Sequence, residues 1–202
     1  MRQLKALFVL PFLVLPTSAQ EGTAPSGQYV ADIAHTSLHW RIRHFGLSNY
    51  TARFTGIEAT LEWNKDDPAQ SKLEVEIDPL SVETDFPFPE KEDFDATIGS
   101  AEHMLAARPI VFRSTGIRLT GERTGIVAGD LTFRGQTHPA ELRVVFNGSM
   151  AEHPLDGLAK LGFSASATIK RSLWGLDFAL DALGDDIDLV IETEFVPAAA
   201  GN

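Results

Sequence analysis

Thr36-Ser37-Leu38-His39-Trp40-Arg41-Ile42-Arg43-His44 is the stretch on which the fold turns. Leu38, Trp40 and Ile42 alternate with Ser37, His39, Arg41 and Arg43, which is the two-residue period of a strand with one dry face and one wet face. His44 falls on the dry side. The same pattern extends outward from Tyr29 to Phe54. A strand of this kind cannot stand alone, so it needs partners that continue the alternation and close over the apolar face.

Downstream the chain supplies them. Thr51 to Trp63 reads as a second strand with Ile57, Ala59, Leu61 and Trp63 on one face, and Leu73, Val75 and Ile77 mark a third. Pro87 and Pro89 then open a segment, Asp85 to Pro109, in which Phe94, Ile98, Ala101, Met104 and Leu105 recur at helical spacing. One or two short helices across Lys91 to Ala107 are expected there, capping the sheet. Alternation returns at Ile110 to Leu119, Gly125 to Arg134, Ala140 to Phe146, Leu161 to Lys170 and Ile187 to Phe195. About eight amphipathic strands joined mostly by short turns, with one helical insertion, predict an all-β antiparallel barrel or a sandwich.

The face expected to point inward carries bulky Trp40, Phe54, Phe133 and Phe146 but also small Ala59, Gly125, Gly129, Ala165 and Ala167. An eight-stranded barrel is just wide enough to be filled by its side chains or to hold one small ligand. Both a hollow lumen and a tapering filled core fit this mixture.

Upstream of the first strand, Arg2 and Lys5, the apolar run Ala6 to Leu15 and the small-residue site Thr17-Ser18-Ala19 read as a secretory leader of residues 1–19. Residues 20–28 have linker composition, and residues 29–197 suffice for one domain with a sizeable core. No stretch reaches the roughly 20 apolar residues a spanning helix needs, so a soluble periplasmic or secreted protein without stable membrane insertion is expected. The sequence has no cysteine, which removes disulfides as a source of stability and suits a periplasm-like compartment.

Without Arg2 and Lys5 the balance is 15 basic to 28 acidic residues, a net charge of −13. That charge repels nucleic acid and anionic headgroups, and no nucleic-acid partner is expected. No Gly-x-Ser-x-Gly elbow or reactive cysteine offers a nucleophile, and no catalytic residue is assigned. His35 and His39 are four residues apart on a strand, about 13 Å, too far to share a metal. Gly184-Asp185-Asp186-Ile187-Asp188 lacks the ligand spacing of a calcium loop and reads as a turn, so neither a metal nor another cofactor is expected. His44 is open to two readings, a structural histidine or a contact to a ligand's polar head. Arg171 is equally open, as a strand-end anchor or a partner for a phosphate.

Tyr29, Asp32, His35, Ser37, Leu38, Trp40, Ile42, His44, Phe45 and Gly46 follow one shared pattern. Gly129, Leu131, Thr132, Gly135 and Thr137 continue it, and so do Arg171, Ser172, Trp174, Gly175 and Leu176. With these motifs in this order, roughly over residues 29 to 196, the chain resembles the YceI-like, polyisoprenoid-binding proteins. The insertion departs from the family's pattern, having Phe94-Asp95-Ala96-Thr97-Ile98 and His103-Met104-Leu105 in its place. The resemblance implies a lipocalin-like barrel holding a long isoprenoid lipid, a polyprenyl phosphate or an isoprenoid quinone, without chemistry on it. Leu38, Trp40, Ile42, His44, Phe54, Phe133, Phe146, Ala165, Ala167 and Arg171 are the candidate ligand-binding residues. An enzyme acting on a small amphiphile in the same pocket is the alternative, a filled barrel serving as an interaction module is a third, and a homodimer stays open. The leader gives the first test: the intact mass of the exported protein is expected to lack residues 1–19, and retention of Met1 to Ala19 would exclude a cleaved leader.

Overall fold

The computed structural model describes residues 22–198, so the expected leader lies outside the described residues. The strands are β1 Gly27–Ala31, β2 Ser37–His44, β3 Ser48–Phe54, β4 Ile57–Trp63, β5 Lys72–Ile77, β6 Val82–Glu83, β7 Ile110–Leu119, β8 Thr124–Phe133, β9 Gln136–Met150, β10 Lys160–Lys170 and β11 Leu183–Pro197. One helix, α1 Phe94–Ser100, interrupts them. Eleven strands fill eight places in one antiparallel sheet. β1 and β2 are two halves of one bent strand, as are β3 and β4, and β5 and β6: β1 pairs with β4 and β2 with β3, while β5 and β6 pair with β4 and β3.

Each neighbour in the ring is also a neighbour in sequence, from β5 through β7, β8, β9 and β10 to β11. The 15-residue β11 closes the ring, pairing with β10 along one edge and with both β1 and β2 along the other. Closure is what makes long one-sided strands tolerable, because it leaves no row of unpaired backbone groups along the barrel wall. The barrel expected from the alternation is thus the architecture found, and the sandwich is not.

The bends have local causes. The second strand breaks at Thr55-Gly56, where a Cβ on Gly56 would lie 2.9 Å from the Cβ of Ser81. Asp78 N–H donates to the Gly56 carbonyl at 2.9 Å and Thr55 N–H to that of Ser81 at 3.1 Å. Only glycine lets the two bends nest. The short 3₁₀ turns that break the first and third strands, Ile33–His35 and Pro79–Ser81, each begin on an aspartate whose carboxylate accepts a backbone N–H: Asp32 from Ala34, Asp78 from Leu80. α1 packs across the third bend, with Gly99 so close that a Cβ there would meet the Pro79 carbonyl at 2.9 Å. The expected helical insertion is therefore one short helix followed by tight turns, because Ala106 and Ala107 both take positive φ.

Asp32 also ties the first bend to the two strands beside it, β11 and β10. Its carboxylate accepts from Lys160 Nζ of β10 at 2.9 Å and meets His35 Nδ1 at 2.9 Å, while Thr36 Oγ1 donates to the Asp32 carbonyl at 2.8 Å and meets Thr193 Oγ1 of β11 at 2.9 Å. Partial burial opposes ionisation of Asp32, but the hydrogen bonds from Lys160, His35 and Ala34 outweigh it and hold its pKa at about 2. A carboxyl depressed on folding adds stability that is complete above its unfolded pKa, about 3.9, and lost as pH falls through the folded value. Lys160→Met is therefore expected to destabilise the protein at neutral pH by an amount that shrinks between about pH 4 and pH 2. Urea unfolding of both proteins at a series of pH values checks this, and a pH-independent gap would assign the loss to packing alone.

Candidate functional site

The inward faces of the eight strand positions do not fill the barrel. Two apolar chambers, of about 390 Å³ and 470 Å³, lie end to end and share Leu38, Val75, Leu142 and Ile191 in their walls. Those four side chains form a waist. Each chamber is in the size range of small-molecule sites and far larger than a water site. Of the two readings of the inward face, the hollow one holds. Ala59, Gly125 and Ala165 line the second chamber and Ala167 the first. Gly129 opens no space, because the Phe112 ring and the Arg113 carbonyl occupy the place of its Cβ.

The ten candidate residues all border this lumen. Leu38, Trp40, Ile42, His44, Phe54, Phe133, Ala167 and Arg171 line the first chamber; Phe146 and Ala165 line the second, with Leu38 at the waist between them. Strand parity accounts for the match, since Leu38, Trp40, Ile42 and His44 are four successive inward positions of β2. The insertion contributes more than a cap: Phe94, Ile98, Met104 and Leu105 face the first chamber directly. Sequence alternation missed Phe178, which reaches the same chamber from an irregular loop, and Tyr50, whose phenolic O–H donates to the Thr84 carbonyl at 3.3 Å. In the second chamber Trp63, Phe146, Phe163 and Phe195 form a chain of ring contacts between 5.3 and 6.0 Å. Trp63 had the parity to reveal this and Phe163 did too.

Polar chemistry in the lumen is sparse. Among the described residues lining the first chamber the titratable side chains are His44, Tyr50 and Arg171. His44 is exposed at the mouth and packs edge-on against Phe45 at 4.8 Å. Arg171 is buried, and its guanidinium is occupied: Nε donates to the Gly184 carbonyl at 2.8 Å, Nη1 to Leu176 at 2.7 Å and Nη2 to Leu183 at 3.0 Å. Burial lowers its pKa, and the nearby charges of Asp185 and Asp177 oppose that shift. The arginine thus pins the loop after β10 to the start of β11. Trp174 seals the same end, its Nε1 donating to the Leu131 carbonyl at 3.1 Å.

The second chamber has a polar rim of Lys65, Asp66, Glu122 and Arg123. Three of these four charges are also engaged, Lys65 with Asp66 at 2.8 Å and Arg123 with the backbone carbonyls of Phe146 and Asn147. Two donors stand out against this. The indole Nε1 groups of Trp40, in the first chamber, and Trp63, in the second, are buried without a hydrogen-bond partner. A buried donor left unpaired costs about 1–3 kcal/mol, and both nitrogens are covered by neighbouring atoms rather than open to the chambers, so the cost is carried by the packing of the wall itself.

Asp32, His35 and Glu194 bring ligand atoms within 4.8 Å of one another, a spacing that could hold a metal ion. The Lys160 ammonium sits 2.9 Å from the Asp32 carboxylate and supplies the positive charge there. The group lies at the first bend, not on the chamber walls.

Known proteins share this architecture. The family model of the YceI-like domain matches residues 29–195. Protein YceI of Escherichia coli O157:H7 is 28% identical over 194 residues, covering 95% of this chain and 97% of its own. Among solved structures, BcnA of Burkholderia cenocepacia superposes with a TM-score of 0.70 at 16% identity, covering 81% of this chain and 98% of BcnA. A polyisoprenoid binding domain from Saccharophagus degradans gives 0.58 at 12%, covering 84% of this chain and 98% of the domain.

Arg171 offers the test of how this end of the lumen is built. Arg171→Leu strands three backbone carbonyls and is expected to cost about 3 kcal/mol or more, and Arg171→Lys, which lacks the planar fork, recovers only part of it. Denaturant unfolding of both variants checks this, and near-wild-type stability of the leucine variant would show that the three bonds are dispensable.

Proposed function

The chain belongs to the YceI-like family, and on that footing we propose that it is a carrier that holds a long isoprenoid lipid outside the cytoplasm without acting on it chemically. The observation that carries this reading is the lumen: two apolar chambers joined at a waist, longer than a compact ligand needs and suited to a linear chain threaded from one into the other. The polyisoprenoid binding named for the Saccharophagus degradans domain supports it. The leader of residues 1–19 supports placement in the periplasm or beyond.

Affinity needs few polar contacts. Covering about 1,000 Å² of prenyl chain at ~25 cal/mol/Å² is gross stabilisation beyond that of the tightest known complexes, and ordering and entry costs consume the surplus. Between the two head groups that fit such a chain, the walls favour the neutral one. Arg171, Arg123 and Lys65, the cationic side chains among the described chamber-lining residues, are already engaged and leave no ready partner for a phosphate. An isoprenoid quinone suits such walls better than a polyprenyl phosphate does.

Native mass spectrometry of protein purified from its own compartment tests the reading, with a prenyl lipid as the expected bound species. Ala167→Trp and Ala165→Trp place an indole in the first and second chamber respectively. Each is expected to sharply reduce the retained lipid while leaving the thermal midpoint of the lipid-stripped protein within a few degrees of lipid-stripped wild type. In a filled core the same changes would cost about 1–3 kcal/mol or more by overpacking, so unfolding of both variants with lipid still bound would overturn the carrier.

A further inference from the structure

The turn joining β2 to β3 holds two side chains that the fold does not use. Phe45 and Gly46 take φ of 50° and 70°, the type I′ geometry that hairpins reserve for Asn-Gly. A phenylalanine there bears left-handed strain without burial in return, since it is 63% exposed and the next residue, Leu47, is 89% exposed. Phe45 N–H donates to the Ala182 carbonyl at 2.7 Å, which joins this turn to the loop after Trp174. That loop turns at Ala179, again at positive φ, between Phe178 at 48% exposure and Leu180 at 38%. Two strained turns hydrogen-bonded together thus present four apolar side chains to solvent.

Their position gives the occupant. His44, next to Phe45, and Phe178 itself line the first chamber, so this apolar ledge borders its mouth. Ile33 and Leu155 are also exposed, yet neither lines a chamber nor has a bonded neighbour that does. The first strand and the end of the last meet at the other end of the barrel, where Gly27 pairs with Trp63 and Tyr29 with Pro197. Charges beside the ledge are mixed, Arg41 and Arg43 against Asp177 and Asp181, so apolar contact rather than headgroup charge must drive any association.

We propose that this ledge is a membrane-docking surface, by which the first chamber's mouth is set against a lipid bilayer from which cargo enters. The proposal rests on the carrier reading. A large apolar patch around a lumen mouth matches a lipid surface, whose hydrocarbon is continuous with the chamber wall.

Flotation with phosphatidylcholine vesicles tests it, using wild type, the double variant Phe45→Asn with Leu47→Ser, and Leu155→Ser as an exposed apolar control. Asparagine suits the left-handed position, so the double variant is expected to fold at least as stably as wild type. Its vesicle-bound fraction is expected to fall by roughly tenfold or more, with Leu155→Ser unchanged and the same lipid bound in all three. A double variant that floats like wild type overturns the proposal, as does an equal loss in Leu155→Ser. A wild-type dimer in solution that the double variant dissociates would assign the ledge to a second copy instead. Wild type that holds isoprenoid lipid but does not float removes the docking surface and leaves the carrier intact; wild type that holds no isoprenoid lipid removes both.

Discussion

The structure depends on one closure, the pairing of the last strand with both halves of the first. β11 registers Val196 against Val30 and Ile191 against Leu38, so a single 15-residue strand spans the break at Asp32 to Thr36 and holds the two halves in line. With no cysteine to staple the ends, that hydrogen-bonded seam is what turns a meander into a barrel. The Asp32 network reinforces the seam from inside the bend, because Lys160 belongs to β10 and Thr193 to β11. The pair is largely buried, so losing either partner leaves an uncompensated charge, and it fixes which residues meet across the break.

The bends reconcile closure with length. Strands of 10 to 15 residues on one side of the ring face first, second and third strands that are each broken once. At each break a short turn or a glycine lets the strand change direction, and the inward positions switch parity across it: Tyr50 and Phe54 face inward before Gly56, Ile57, Ala59 and Leu61 after it. Leu38 follows the first break by two residues and already stands at the waist. The lumen is consequently two chambers with different characters: the first is closed over by α1 and opens beside an apolar ledge, and the second is walled by an aromatic cluster and rimmed with paired charges.

The sequence revealed the wall better than the ends. Leu38, Trp40 and Ile42, Phe54, Phe133 and Phe146 could all be placed inward because strand parity is a local property that holds within each unbroken segment; across the bulge in β7 it reverses, and Phe112 and Ile117 both face inward. The hollow interior was not legible, since Gly129 and Gly125 look alike in sequence while only the first is filled by a neighbouring ring, Phe112. Arg171 was ambiguous for a related reason. Its role depends on three carbonyls that the loop from Leu176 to Gly184 folds back to present, and no periodic pattern encodes that loop. Trp63 carried the right parity but gave no sign that its N–H would lack a partner, which only the finished packing decides.

A barrel left hollow raises the question of what stands in for its core. Cavity space in a protein interior costs about 24 cal/mol per Å³ relative to a filled core, so a chamber of 390 Å³ alone forgoes roughly 9 kcal/mol. That is comparable to the entire stability of an ordinary domain. Water recovers little of it, because apolar cavities with few polar partners tend to stay dry. The fold compensates partly in its walls, where Leu161, Tyr29 and Trp174 are almost wholly buried between strand, loop and linker. The remainder falls to whatever enters. An apolar ligand in the lumen would restore the missing contacts in the native state alone, and by mass action its stabilisation would grow with the logarithm of its free concentration relative to its dissociation constant. Ligand and core would then be the same set of contacts, which is why an interior of this kind can bind an apolar molecule tightly without many polar groups.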